Sequence, residues 1–165
     1  MDEIARSPDD FATAFEASFA RFQIGLEEAC ASGEDWSSGV AAAIRATFAF
    51  AAANPDSANV LTNEALAAGP DGIGRHRRLL SYVADRLAPG RDQRPEGGEL
   101  PQLTEQALAG GLVGLVAERL TRGKEAELPA LAPQAVQFAL TPYLGMREAQ
   151  RIAASAGPPG PRWDR

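Results

Sequence analysis

Two stretches decide the fold: Leu103–Arg122, LTEQALAGGLVGLVAERLTR, and Leu128–Leu144, LPALAPQAVQFALTPYL. In the first, Leu108, Leu112, Leu115 and Arg119 recur at helical spacing, and Leu120 extends the stripe. In the second, Leu128, Leu131, Ala135, Phe138 and Leu140 do much the same. A short Gly-Lys-Glu-Ala link, Gly123 to Ala126, joins them, so the pair reads as an αα-hairpin. Gly110, Gly111 and Gly114 lie inside the first helix. Each costs about 0.5–1 kcal/mol relative to alanine, and the usual compensation is close backbone approach by another helix. One face of the hairpin is therefore expected to be free for a partner, a second copy of the chain.

Upstream, Ser7-Pro8-Asp9-Asp10 has the form of a helix start: a capping serine, a proline at the first position and acids in the first turn. That helix is expected to run to about Ala31. Phe11, Phe15, Phe19, Phe22 and Leu26 form its stripe. Asp35 caps a second helix, Trp36 to about Ala53, ended by Asn54-Pro55. A short third helix, Ala58–Ala68, and a fourth, from about Asp71 to Leu87 with Ile73, Leu79, Leu80, Val83 and Leu87 inside, complete this half. Residues 88 to 101, APGRDQRPEGGELP, read as a mobile loop. Met146–Ala156 forms a short last helix, and the Gly157–Arg165 tail is expected to be disordered. No segment alternates with period two for long enough to make a strand. The expected architecture is all-α, a bundle of six or seven helices. Residues 1–7 are a remnant or flexible terminus, 8–156 the domain and 157–165 the tail.

Composition narrows the function classes. With 165 residues, 45% of them apolar and many of those alanine, the chain is long enough for one domain with a sizeable core. A net charge of −6 repels phosphate and argues against nucleic-acid binding by the chain alone. The one cysteine, Cys30, excludes an intrachain disulfide. The apolar runs are too short and broken to span a bilayer, and the acidic start does not fit a signal peptide, so a cytoplasmic protein is expected. There is no nucleophile elbow, phosphate-cradling glycine loop or HExxH motif. His76, in Arg75-His76-Arg77-Arg78, is the single histidine and lacks companion ligands, so it reads as part of a solvated basic face. No catalytic residue, metal or cofactor is expected.

The order of segments resembles the C-terminal domain of the TetR-type transcriptional repressors. DDFATAFEASFARF (9–22) is similar to the linker helix entering the ligand domain. NPDSANVLTNEALAAGPDGIGRHRRLL (54–80) is similar to the short sixth and seventh helices. TEQALAGGLVGLVAERLTRG with LPALAPQAVQFALTPYLG is similar to the two dimerisation helices. The resemblance covers roughly residues 8 to 150 and implies a ligand-binding and dimerisation domain. It departs from the family at the start. Met1–Arg6, MDEIAR, resembles the opening of a helix-turn-helix scaffold, but no turn or recognition helix follows before Phe11. DNA is then a partner only where a helix-turn-helix is supplied upstream or by another chain.

The resemblance implies an effector cavity among the first four helices, closed by Leu103–Arg122. Phe15, Phe19, Phe22, Phe48, Leu61, Glu64, Leu79, Val83 and Leu112 are its expected lining. Large aromatics facing alanines (Ala41, Ala51, Ala65, Ala68) leave space, which suits a small, mostly apolar effector. Glu64 or Tyr82 would be its polar anchor. For an anionic effector, Glu64 must face elsewhere and the Arg75–Arg78 cluster becomes the better anchor. The expected dimer interface is Leu108, Gly111, Gly114, Leu115, Val136, Leu140 and Tyr143. Each of these residues also has a plain reading as core packing, and Glu64 as a partner of Arg75 or Arg78. The alternative functions are an interaction protein that pairs with a full-length relative and a purely structural helical domain.

In a gel-shift experiment with genomic fragments at physiological salt, the chain alone is expected to give no sequence-selective shift that survives competitor DNA.

Overall fold

A computed structural model of the protein describes residues 7–94 and 99–155. Helix α1, Pro8–Ala31, begins at Ser7, whose hydroxyl accepts from the Asp10 N–H at 3.2 Å. Helix α2, Trp36–Ala53, is set by a capping box: the Asp35 carboxylate accepts from the Ser38 N–H, and the Ser38 hydroxyl accepts from the Asp35 N–H. Then come α3 (Pro55–Asn59), a π-helical turn (Val60–Glu64) and α4 (Ala65–Ala67), which together form one interrupted rod. Helix α5 is Gly69–Leu87, and a 3-10 turn, Ala88–Gln93, follows it. Helices α6 (Thr104–Thr121), α7 (Leu128–Leu144) and α8 (Met146–Ala154) close the chain. The described residues contain no strand, and with the rod counted once they form the expected all-α bundle of seven helices.

Helix α2 is the axis of the packing. Val40, Ala41, Ile44, Phe48 and Ala51 face a core shared with α6, α7 and α8. Ala43, Ala46 and Phe50 face a second core made by the α1 phenylalanines, Val60, Leu61, Ala65 and Leu79. A helix apolar all round is one buried on several sides. Its single charge, Arg45, is not wasted on solvent. The guanidinium donates to the carbonyls of Ile152, Ala153 and Ser155 at 3.0–3.2 Å, which satisfies the orphan acceptors at the end of α8.

Several expectations are corrected. The third helix begins at Pro55 rather than Ala58, because proline suits a first helical position, and it is broken by the π turn. Ile73 is 40% exposed rather than inside. The supposed hairpin is loose: α7 lies chiefly against α2 and α8 and touches α6 much less. Val136, Leu140 and Tyr143 are therefore not interface residues. They are at most 1% exposed, because that side of α7 packs on α2 within the same chain. Met1–Arg6 and Gly157–Arg165 lie outside the described residues.

The expected mobile loop is tied down over its described residues. Glu105 on α6 is 8% exposed and meets Arg91 of the 3-10 turn in a two-pronged ion pair, at 2.8 and 2.7 Å. The Tyr143 hydroxyl donates to the same carboxylate at 3.0 Å, and Arg91 also reaches the carbonyls of Leu100 and Pro101. Gly90 must be glycine here, since a Cβ would lie 2.3 Å from the Trp36 ring. The Trp36 indole N–H in turn donates to the Arg86 carbonyl. A buried carboxylate needs such partners, and a reading by loop composition does not see that requirement.

Burial alone would raise the Glu105 carboxyl, but the hydrogen bonds from Arg91 and Tyr143 outweigh it and hold the group below its ordinary value. Its stabilisation is therefore present above the ordinary carboxylate pKa and is lost as pH falls through the depressed one. Tyr143→Phe is expected to cost about 2 kcal/mol at neutral pH, the usual size for a hydrogen bond to a charged group. That loss should shrink as a urea-melt series is carried down through about pH 5 to 3.

Candidate functional site

Where α1, α2, the π turn, α5 and α6 converge, they leave a cavity of about 80 Å³. Each element contributes through its helical period. From α1 come Phe22, Leu26 and Cys30, and from α2 come Val40, Ile44, Thr47, Phe48 and Ala51. Ala58, Leu61 and Thr62 close one end. Leu79, Val83, Arg86 and Leu87 project from α5, and Leu112, Val113 and Val116 from α6. The wall is almost wholly apolar. Small residues of α2 and α3 face large ones across it, and that mismatch leaves the space unfilled.

Six of the ten sequence-derived lining residues meet at this wall: Phe22, Phe48, Leu61, Leu79, Val83 and Leu112. Four do not. Phe15 and Phe19 are buried in the α1–α5 core, ring centres 5.8 Å apart, beneath the guanidinium groups of Arg75 and Arg78. Tyr82 sits edge-on to Phe19 and Phe22 and donates its hydroxyl to Glu27 at 2.9 Å, outside the wall. Glu64 falls in the π turn, where it accepts from the Asn59 amide at 3.2 Å. The extra residue in the turn rotates it off the face it would share with Leu61 on a regular helix. Neither expected polar anchor reaches the cavity. The Arg75–Arg78 cluster does not either, since both arginines pair with Glu16. Of the alanines expected to leave the space, Ala51 is in the wall, joined by Ala43 and Ala58.

The residues missed by sequence reading follow the same periods. Cys30 lies four residues beyond Leu26, and Arg86 three beyond Val83, so both were on faces already identified. Arg86 contacts one oxygen of Glu27 at 3.3 Å and stacks over the Tyr82 ring, 4.5 Å from its centre. Burial pushes the Cys30 thiol up, and the nearby Arg86 charge opposes that in part. The Thr62 hydroxyl is satisfied by the Ala58 carbonyl at 2.8 Å. Among the described residues no three His, Cys, Asp or Glu side chains are grouped as for a metal ion, and no helix is long and apolar enough to cross a membrane.

Of the expected interface residues, Leu108 is buried, Leu115 is partly buried and packed on the core, and Gly111 and Gly114 face outward. A Cβ at Gly110 or Gly114 would meet nothing within 4 Å, while one at Gly111 would lie 3.2 Å from the edge of the Phe138 ring. Phe138 itself is 50% exposed and stands between two shallow grooves, one bounded by Leu108 and Met146, the other by Leu115 and Leu131. No family model, curated protein or solved structure matches the chain.

Ala51→Val adds two carbons to the cavity, worth about 0.8 kcal/mol each on burial, against about 0.6 kcal/mol of helix propensity. The variant is expected to be more stable than the parent by about 1 kcal/mol in chemical denaturation.

Proposed function

We propose that the chain is the effector-sensing and dimerisation domain of a TetR-like transcriptional regulator. It binds a small, mostly apolar molecule and changes the geometry of a symmetric homodimer. The observation that carries the reading is the apolar cavity between α1, α2, α5 and α6. A void lined by Phe, Leu and Val stays dry and favours apolar occupants. Helix α6 makes the coupling possible. It turns Leu112, Val113 and Val116 toward the cavity and Gly110, Gly111 and Gly114 outward. The Asn63 amide of the π turn also donates to the Ala117 carbonyl of α6 at 3.3 Å. An occupant that moves α6 moves the proposed interface with it, and it shifts the equilibrium only by its differential affinity for the two arrangements.

The dimer reading rests on the outward glycines. Gly110 and Gly114 have no close neighbour within the chain that would require them. A second copy packed helix to helix supplies that reason, with Phe138 as the projecting knob. The pairing alternative, an interaction protein that joins a full-length relative, uses the same face. It gains support from the small cavity, since ligand pockets usually start near about 300 Å³. The regulator, if complete, acts through recognition helices that the described residues do not include.

Two outcomes test the reading. Light scattering is expected to give a dimer at micromolar concentration. Gly114→Arg, at a position open to solvent in the single chain, should give a folded monomer with unchanged circular dichroism. A wild-type monomer at high micromolar concentration removes the dimer claim. Thermal shifts with small apolar compounds, lost in Ala51→Val, are expected for the effector claim; a flat response across such compounds removes it.

A further inference from the structure

We infer that the cavity takes a hydrocarbon of about three or four carbons, a short alkane or alkene without any group that donates or accepts a hydrogen bond. This class rests on the reading of the cavity as an effector site, and it narrows a mostly apolar effector to one with no polar group at all.

Thr47, Thr62 and Arg86 are among the lining residues, yet almost no polar surface opens into the space. Thr62 donates its hydroxyl to the Ala58 carbonyl at 2.8 Å. Arg86 contributes its apolar stem, while its guanidinium lies over the Tyr82 ring and contacts Glu27. The Cys30 thiol is a weak hydrogen-bonding group, and burial pushes its pKa up, which keeps it neutral. No Asp, Glu, Asn, Gln, His or Tyr side chain lines the cavity. A polar atom on a ligand would lose its water there without gaining a partner, which is the costly case. Water meets the same wall. It needs roughly two to four polar partners to stay, so the space is dry.

Size sets the second limit. A cavity of about 80 Å³ is near half of the ~150 Å³ that accommodates benzene, which leaves room for about three or four carbons. Alanines impose that limit from one side. Ala43, Ala51 and Ala58 reach the space with a single methyl each, and Leu79, Val83 and Leu112 close it from α5 and α6.

Methyl-resolved NMR titration of the full chain tests the class, with dissolved isobutene and propane as probes and acetone and ethanol as their polar counterparts of equal heavy-atom count. Each hydrocarbon is expected to bind about tenfold or more tightly than its counterpart, because a buried oxygen without a partner costs at least that much. The shifted methyls should be those of Leu79, Val83, Leu112 and Val116, and benzene should leave them unmoved. Ala51→Val, which fills the space, should abolish isobutene binding. Acetone bound as tightly as isobutene overturns the hydrocarbon class while sparing the apolar-effector reading. So does benzene bound at these methyls as tightly as isobutene. Isobutene that shifts only methyls outside the cavity, or that still binds a folded Ala51→Val variant, overturns the inference as well. Should Ala51→Val not fold, the wild-type comparisons and the location of the shifted methyls decide. Failure of every probe, together with a flat thermal-shift response to apolar compounds, overturns both.

Discussion

The burial of α2 on two faces is the constraint from which the rest follows. Its sequence from Val40 to Ala53 holds one charge, Arg45, among alanines, phenylalanines and isoleucine. Such a helix can remain folded in water only when other helices cover both faces. Helix α1 and the rod after Pro55 cover one side, and α7 with α8 the other. Arg45 then ties α2 to the end of the chain's last described helix. It is the only charge on the helix, and its guanidinium closes the end of α8. Because the small residues of α2 cannot fill the distance to α5 and α6 everywhere, the cavity is a direct product of the same alanine-rich sequence that lets the neighbours approach closely.

The two cores differ in kind. The α1 side is aromatic and sealed at its rim by arginines lying over phenylalanine faces, with Glu16 holding Arg75 and Arg78 in place. The α7 side is aliphatic and ends in a part-buried polar knot of Glu105, Arg91 and Tyr143, with the Trp36 ring edge-on to Tyr143. That knot fixes the segment after α5 against α6 and α7. It therefore fixes the position of α6, the helix that stands between the cavity and the outward glycine face. Glu105 is the buried member of the pair, and removal of Arg91 or Tyr143 would leave its carboxylate short of partners.

In the proposed regulator, the economy lies in α6. One side of a single helix senses the contents of the cavity and the other meets the second copy. Its glycines weaken it as an isolated helix, which makes a shift of its axis less costly than in an alanine-rich one. The π turn beside the cavity adds a second contact to the same helix through Asn63.

The sequence by itself determined the helices. The bounds of α1, α2 and α7 follow from Ser7, Asp35 and the apolar period, because caps and periodicity are local signals that survive any packing. It also located part of the cavity wall, since Phe22, Phe48, Leu61, Leu79, Val83 and Leu112 lie on stripes that must turn inward. The tertiary structure alone decided which inward residues border empty space and which are simply packed. Phe15 and Phe22 are alike in period, yet only Phe22 reaches the void. It alone decided the partner of α7: Val136, Leu140 and Tyr143 turn to α2, and Phe138 is left outside. It placed Arg86 rather than Glu64 at the wall: Glu64 falls within the π turn, and Arg86 follows Val83 on the inward face of α5. These are questions of distance between elements remote in sequence, and no pattern within one helix carries that information.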